Sequence, residues 1–138
     1  MLALIEAIQA RLLGDSALTS KLGTLQNNAP AVVLAEPYPE ILPLPFVAIG
    51  GVITRTARDT KTTSGWDIQL DLRFFSRADG DIGLIEGIAE RGRALFNGVH
   101  LTVGSDTTLV AVASGPHWIP AESDNLYGRS VPLRFVIA

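Results

Sequence analysis

A stretch near the middle of the chain alternates strictly between apolar and polar residues. Successive side chains of a β-strand point to opposite faces of a sheet, so a period of two predicts a strand with one buried and one polar face. The apolar positions are Trp66, Ile68, Leu70, Leu72 and Phe74, and the polar positions are Asp67, Gln69, Asp71 and Arg73.

Apolar runs predict further strands on both sides of this one. Phe46–Thr54 is predicted as one buried strand, in which Gly50 and Gly51 indicate a bulge or a close approach of the backbone. Further along, 100–103 and 109–119 are predicted as strands.

The end of the chain alternates again. Val131, Leu133, Phe135 and Ile137 are apolar at every second position, after a predicted loop at 120–128. Pro132 lacks a backbone donor, which favours an edge strand or the start of a strand.

The N-terminal segment has the spacing of an amphipathic helix. Apolar residues recur at positions 2, 5, 8 and 12, and Gly14 is a suitable cap. Asp15 can open a short second helix that ends at Gly23.

A longer helix is predicted to begin at Asp79 or Asp81 and to run to about Asn97, with Gly98 as its C-terminal cap. Its interior glycines each cost about 1 kcal/mol relative to alanine, so we expect them to be offset by close contact with the sheet or with a neighbouring subunit. The predicted buried stripe is Ile82, Ile85, Ala89 and Phe96, broadened by Ile88 and Leu95.

The order of these elements predicts an α+β fold for residues 1–138 as one domain, with an antiparallel sheet covered on one face by the N-terminal helix and the longer helix. Five of the eight prolines lie in 30–45, which is therefore an extended connector with at most a short edge strand at Val32–Glu36. The polar stretch Arg55–Gly65 is predicted to be a protruding β-hairpin.

Composition narrows the function further. The chain of 138 residues is 47% hydrophobic, carries a formal charge of −3 and has no cysteine. Disulfides, thiolate metal sites and cysteine nucleophiles are thereby excluded, and the net field does not attract nucleic acid. No segment has the length and apolarity of a membrane span, so we expect a cytosolic protein without a membrane partner.

Candidate catalytic residues do not form a site. The block from Gly14 to Leu18 resembles the Gly-Asp-Ser-Leu motif of one hydrolase family, but Ser16 follows a helix and not a strand. His100 and His117 have no metal-ligand spacing. Asp67 and Asp71 are separated by about 13 Å along a strand, which is too far for a pair of glycosidase carboxylates. We therefore predict no catalytic residue, cofactor or metal.

The polar residues instead suggest a surface for protein contacts. The polar strand face and the hairpin are the candidate subunit or tail interface, either solvated or covered by another subunit. The candidate residues are Arg55, Arg58, Asp59, Lys61, Asp67, Gln69, Asp71 and Arg73.

The order of segments resembles the tail-completion, or tail-terminator, proteins of long-tailed phages, prophages and gene-transfer agents. The similarity covers nearly the whole chain and rests on the order and spacing of individually common pieces. These include the entry Leu44-Pro45-Phe46-Val47, the strand end Arg73-Phe74-Phe75-Ser76, the helix end Leu95-Phe96-Asn97-Gly98 and the closing Tyr127-Gly128-Arg129-Ser130-Val131-Pro132-Leu133-Arg134-Phe135.

This resemblance implies a structural, non-enzymatic virion protein. Such proteins form a ring, typically of six copies, at the head-proximal end of the tail. The ring stops polymerisation of the tail tube protein and offers a surface to the head-completion or neck protein, while DNA passes through without specific binding. The protein would be made in the host cytoplasm and end in the particle. A head-completion or neck adaptor is the alternative, followed by a small hydrolase using Ser16 and a binding module using the hairpin.

Overall fold

The structure, a computed structural model, describes residues 2–25, 27–34, 43–50, 54–57, 65–77, 82–103, 106–119 and 126–137, with the backbone alone described at residue 2, 54–57 and 106–110. The helices among them are α1 (Leu2–Leu13), α2 (Ser16–Thr19) and α3 (Ile82–Phe96). The strands are β1 (Val32–Leu34), β2 (Phe46–Ile49), β3 (Thr54–Ala57), β4 (Trp66–Arg77), β5 (Thr102–Val103), β6 (Asp106–Ala113), β7 (His117–Ile119) and β8 (Leu126–Ile137).

These strands form one sheet with the order β1-β2-β4-β8-β6-β5, to which β3 adds beside β4 and β7 adds beside β8. Neighbouring strands are antiparallel except for β1, which runs parallel to β2. Helices α1 and α3 both pack on one face of the sheet, which confirms the predicted α+β class. We call this the helix face, and we call the opposite face the outer face.

The strands β4 and β8 are the centre of the sheet. They pair in unbroken register from Trp66 opposite Ile137 to Arg77 opposite Leu126. The even-numbered residues of β4 from Ile68 to Phe74 are buried against the helices, so the predicted alternation is confirmed.

On each side of this central pair, two shorter strands pair with different parts of the same long strand. Strand β2 pairs with 72–75 of β4, whereas β3 pairs with 66–69. The single strand predicted for 46–54 therefore ends at Ile49, and its last residue, Thr54, begins β3. On the other side, β6 pairs with 133–137 of β8 and β7 with 128–130. The predicted strand 109–119 is likewise divided, because Gly115 with φ +82° and Pro116 interrupt it.

The prediction that Pro132 marks an edge or a strand start is wrong, because β8 is an interior strand. Pro132 lies opposite Asp71, and its carbonyl oxygen accepts a hydrogen bond from Ser114 N (3.1 Å) on the side away from β4. Its missing N–H therefore faces the interruption between β6 and β7, where neither strand pairs with it.

The core lies between the helices and the sheet. Helix α1 contributes Leu4, Ile8 and Leu12, and Phe96 of α3 contacts Phe135 edge to face with ring centroids 6.4 Å apart. The buried residues of α3 are Ile85, Ile88, Ala89, Gly92, Leu95 and Phe96.

Ile82 was predicted in the buried stripe of α3, and this is wrong, since it is 50% exposed. It occupies the first position of α3, and the helix reaches the core only from its second turn. Two cap predictions agree with the structure: Asp15 accepts a hydrogen bond from Leu18 N, and Gly98, two residues after α3, has φ +75°. Gly14 directly follows α1 without a positive φ, and α2 ends at Thr19 and not at the predicted Gly23. The predicted helix openers Asp79 and Asp81 lie outside the described residues.

The glycines of α3 differ in their surroundings. A Cβ atom at Gly92 would overlap the ring of Phe74, so the predicted close contact with the sheet is confirmed there. Gly87 has no such contact, because the nearest atom to its Cβ position is Lys21 Nζ at 3.9 Å.

Candidate functional site: the outer face and the β7 edge

The outer face holds the predicted polar row of β4. Asp67, Gln69, Asp71 and Arg73 alternate with the core residues of the same strand and so share this face. The structure therefore brings together the half of the predicted interface that lies on β4.

Asp67 is bound by an arginine from the neighbouring strand. Arg134 of β8 donates from Nε to Asp67 Oδ1 (3.1 Å) and from a terminal nitrogen to Oδ2 (2.7 Å). This hydrogen-bonded carboxylate raises the pKa of Arg134 above its ordinary value. The pair crosses the β4–β8 ladder diagonally, because the register partner of Arg134 is Gln69.

Asp71 is buried, with 8% of the residue exposed, so the interpretation of this position as a solvated residue is wrong. Its Oδ2 accepts from Arg73 Nε at 3.0 Å and from Ser130 Oγ at 3.3 Å. The cause of the burial is Gly50, whose N–H donates to Asp71 O (2.7 Å) and whose Cβ position overlaps the Asp71 carboxylate. The predicted close approach of the backbone at Gly50 is thus confirmed, and Gly51 lies outside the described residues.

The two arginines cover the two carboxylates. The side chains of Arg73 and Arg134 are 45% and 46% exposed, whereas those of Asp71 and Asp67 are 11% and 18% exposed. Solvent on this part of the outer face therefore meets guanidinium groups more than carboxylates.

The hairpin half of the predicted interface is only partly described. Arg55 belongs to β3 and is the register partner of Ile68. Arg58, Asp59 and Lys61 lie outside the described residues, so their place relative to the outer face stays a prediction.

An aromatic cluster on the helix face was missed by the sequence analysis. Trp118 of β7 is 51% exposed, and Arg129 of β8 lies over its ring, 4.2 Å from the centroid. Tyr127 meets the Trp118 ring edge to face at 6.1 Å. The strand β7 has only three residues, so Trp118 is not part of a repeating apolar pattern. The one signal in the sequence is the residue type, because tryptophan is enriched at protein interfaces.

Arg129 is itself held by α3. Its terminal nitrogen lies 2.5 Å and 2.7 Å from the two carboxylate oxygens of Glu86, and its side chain is only 12% exposed. The Arg129 guanidinium group that contacts the Trp118 ring is therefore held in place by its salt bridge to Glu86.

The serine and the two histidines considered for catalysis lie in different parts of the chain. Ser16 begins α2 directly after the Asp15 cap, and it is exposed. His100, in the loop between α3 and β5, and His117, at the start of β7, are both exposed. Within the described ranges, no three His, Cys, Asp or Glu side chains cluster as metal ligands. Nor does any helix of that part have the length and apolarity to cross a membrane.

Comparison with known proteins identifies the fold. No protein-family profile and no curated protein matches the chain. Among solved structures, the chain is similar to one in the structure described as "Virion of native gene transfer agent (GTA) particle". The TM-score is 0.76 at 18% sequence identity, and the alignment covers 96% of this chain and 92% of that chain. The two chains share their fold over nearly their whole lengths.

Proposed function

We propose that this chain is a structural protein of a phage-like particle, and that it forms a ring at the head-proximal end of the tail. The observation that carries the proposal is the fold shared with a chain of a gene transfer agent virion over 96% of this sequence. The tail-terminator pattern of segments in the sequence supports the same assignment independently. The ring, of six subunits, ends polymerisation of the tail tube protein and binds the neck protein.

The surfaces of the subunit are better suited to contacts with other proteins than to catalysis. A closed ring needs two different faces of one subunit to meet, and each subunit of a stable pair buries about 800 Å². The outer face, with Asp67, Gln69, Asp71 and Arg73, is one candidate for contacts with the tail or a neighbouring subunit. The hairpin residues Arg55, Arg58, Asp59 and Lys61 remain a second.

Deleting the gene tests the proposal in the particle. Without a terminator, tail tubes grow to irregular and excessive lengths, so we expect electron microscopy to show a broad length distribution that the intact gene restores. Tails of normal length beside unjoined heads would instead identify a head-completion or neck adaptor.

Separated particle parts provide the second test. Mass spectrometry of isolated tails should detect this chain, and isolated heads should lack it. Its absence from both tails and heads would contradict a role in the virion.

A further inference from the structure

In the half of the sheet beside the start of α3, two strand edges have no partner strand among the described residues. In this half the strand order is β1-β2-β4-β8-β7. Within the described part of the chain, no strand pairs with the far side of β1 or of β7. Unpaired strand edges are templates for another chain unless something covers them.

The directions of these two edges are complementary. β1 is parallel to β2, and each later neighbour in the order is antiparallel to the one before it. β1 and β7 therefore run in opposite directions. A second copy placed beside the first in the same orientation would bring its β1 antiparallel to the first copy's β7.

The backbone groups on the two edges are also placed for pairing. The carbonyl oxygen of Pro132 in β8 accepts a hydrogen bond from Ser114 N, so every second residue of β8, including Ser130, directs its backbone polar groups toward β6 and β7. Ser130 lies opposite His117, whose backbone groups therefore point toward β8. Trp118, the next residue of β7, directs its N–H and C=O to the open side. On β1, Ala31 O accepts from Val47 N of β2, so the residue three positions on, Leu34, directs its groups away from β2.

The same two residues carry exposed apolar side chains. Leu34 is 42% exposed and Trp118 is 51% exposed. Their register partners, Ile49 and Arg129, place both on the helix face, and residues directly opposite in a ladder have side chains on the same face. Pairing the two edges would cover both side chains at once. The contact of Trp118 with Arg129 fixes the ring beforehand, which lowers the entropic cost of binding.

We infer that β1 of one copy pairs with β7 of the next in an antiparallel ladder, with Leu34 opposite Trp118. This contact uses two different surfaces of one subunit, which is the kind of contact that builds a ring when the rotation between successive copies closes. The inference rests on the proposed ring and names the edge strands that join its subunits.

Cysteine trapping tests this pairing, because the chain has no cysteine of its own. Opposite residues in a hydrogen-bonded antiparallel pair have Cα atoms about 5.5 Å apart, but their Cβ atoms are slightly too far apart for an unstrained disulfide, so a short bifunctional thiol reagent is used for the link. Leu34→Cys and a size-tagged Trp118→Cys chain should give a crossed dimer on a denaturing gel when they are mixed and treated with this reagent, and each alone should stay largely without a covalent link. The chain with both substitutions should form a ladder of linked oligomers.

Val112→Cys is the matched control, because Val112 is 43% exposed but lies in β6, outside both edges. We expect at least 10-fold less crossed product with Val112→Cys than with Trp118→Cys. Equal yields, self-linked dimers as the main product, or no crossed link both in solution and in particles would overturn the pairing.

A second variant covers the case in which Trp118→Cys does not fold. Leu34→Glu should keep the circular dichroism of the wild type and weaken assembly at least 10-fold by light scattering, since a charge on an edge strand opposes pairing. Unchanged assembly of Leu34→Glu would overturn the inference. A crossed link in a protein that is absent from particles would support the pairing and contradict the proposed function. No crossed link in a protein that is present in particles would contradict the pairing and leave the proposed function supported.

Discussion

Arg129 is the residue on which the exposed aromatic cluster depends. Its side chain is 12% exposed, and it joins Glu86 of α3 to the ring of Trp118. A cation at this depth needs its carboxylate partner, because losing the partner leaves a poorly hydrated charge. The salt bridge therefore fixes the β7 edge to the helix layer.

We expect Glu86→Ala to lower the free energy of unfolding by about 1–2 kcal/mol. Glu90→Ala is the matched control on the same helix, because Glu90 pairs with Arg93 at an exposed i,i+3 position and such pairs contribute about 0.5 kcal/mol or less. Urea unfolding of the two variants checks the difference. Equal losses would show that Arg129 does not need Glu86.

Asp15 gives the protein an acid-sensitive contact. The hydrogen bond from Arg91 lowers the pKa of Asp15 below its ordinary value. The folded state therefore binds this proton less readily than the unfolded state, so the stabilisation is present above the unfolded pKa and is lost as pH falls through the folded one.

Replacing Asp15 with asparagine isolates this effect, since asparagine keeps a cap acceptor but has no charge. As pH falls from about 5 to about 2, we expect the wild type to lose more unfolding free energy than Asp15→Asn, because ordinary aspartates titrate near 3.9. Urea unfolding across this range measures the two slopes. Parallel slopes would contradict the assignment.

At the scale of elements, α3 shows how one substitution can have opposite effects within a helix. Gly92→Ala forces a methyl group into the ring of Phe74 and should destabilise the protein by about 1–3 kcal/mol. Gly87→Ala meets no atom closer than 3.9 Å and should stabilise it by about 0.5–1 kcal/mol. Thermal or urea unfolding compares the two, and a loss of stability at Gly87→Ala would indicate a contact that the isolated subunit lacks.

Elements with a long regular period were predictable from the sequence. The alternation marked the buried face of β4 correctly from Ile68 to Phe74, since successive residues repeat one physical constraint, whereas Trp66 at the start of the pattern is 39% exposed. The start of β8 at Leu126 was missed, because Gly128 and Arg129 interrupt the alternation although the backbone stays paired with β4.

The candidate site was less predictable for a related reason. The sequence pattern marked Asp71 as polar and outward, which is correct, but the burial comes from Gly50 on another strand. Likewise, Trp118 acquires its partner Arg129 only when β7 pairs with β8. Contacts between distant segments have no local period, so residue patterns predict the faces of strands and not what covers them.

At the scale of the whole molecule, assembly should be visible in thermal stability. Binding of folded copies to one another stabilises them by mass action, so the apparent Tm should rise with protein concentration. Leu34→Glu should remove this dependence while leaving the Tm at low concentration nearly unchanged. Scanning calorimetry at several concentrations measures it, and a wild-type Tm independent of concentration would mean that rings do not form in free solution.

If this chain forms the proposed ring, the covering of Asp67 and Asp71 by arginines would affect the passage of DNA through it. The chain as a whole is acidic, with a formal charge of −3, but the solvent beside Arg73, Arg77 and Arg134 meets positive charge. Only one face of the sheet can line the central channel of a ring. If the outer face lined the channel, its arginines would attract the phosphate backbone, and DNA ejection would become faster as salt weakened this attraction. If the helices lined the channel instead, these arginines would not face the DNA. In the proposed ring, the orientation of the sheet, and not the net charge, would therefore decide how strongly the channel retards the DNA.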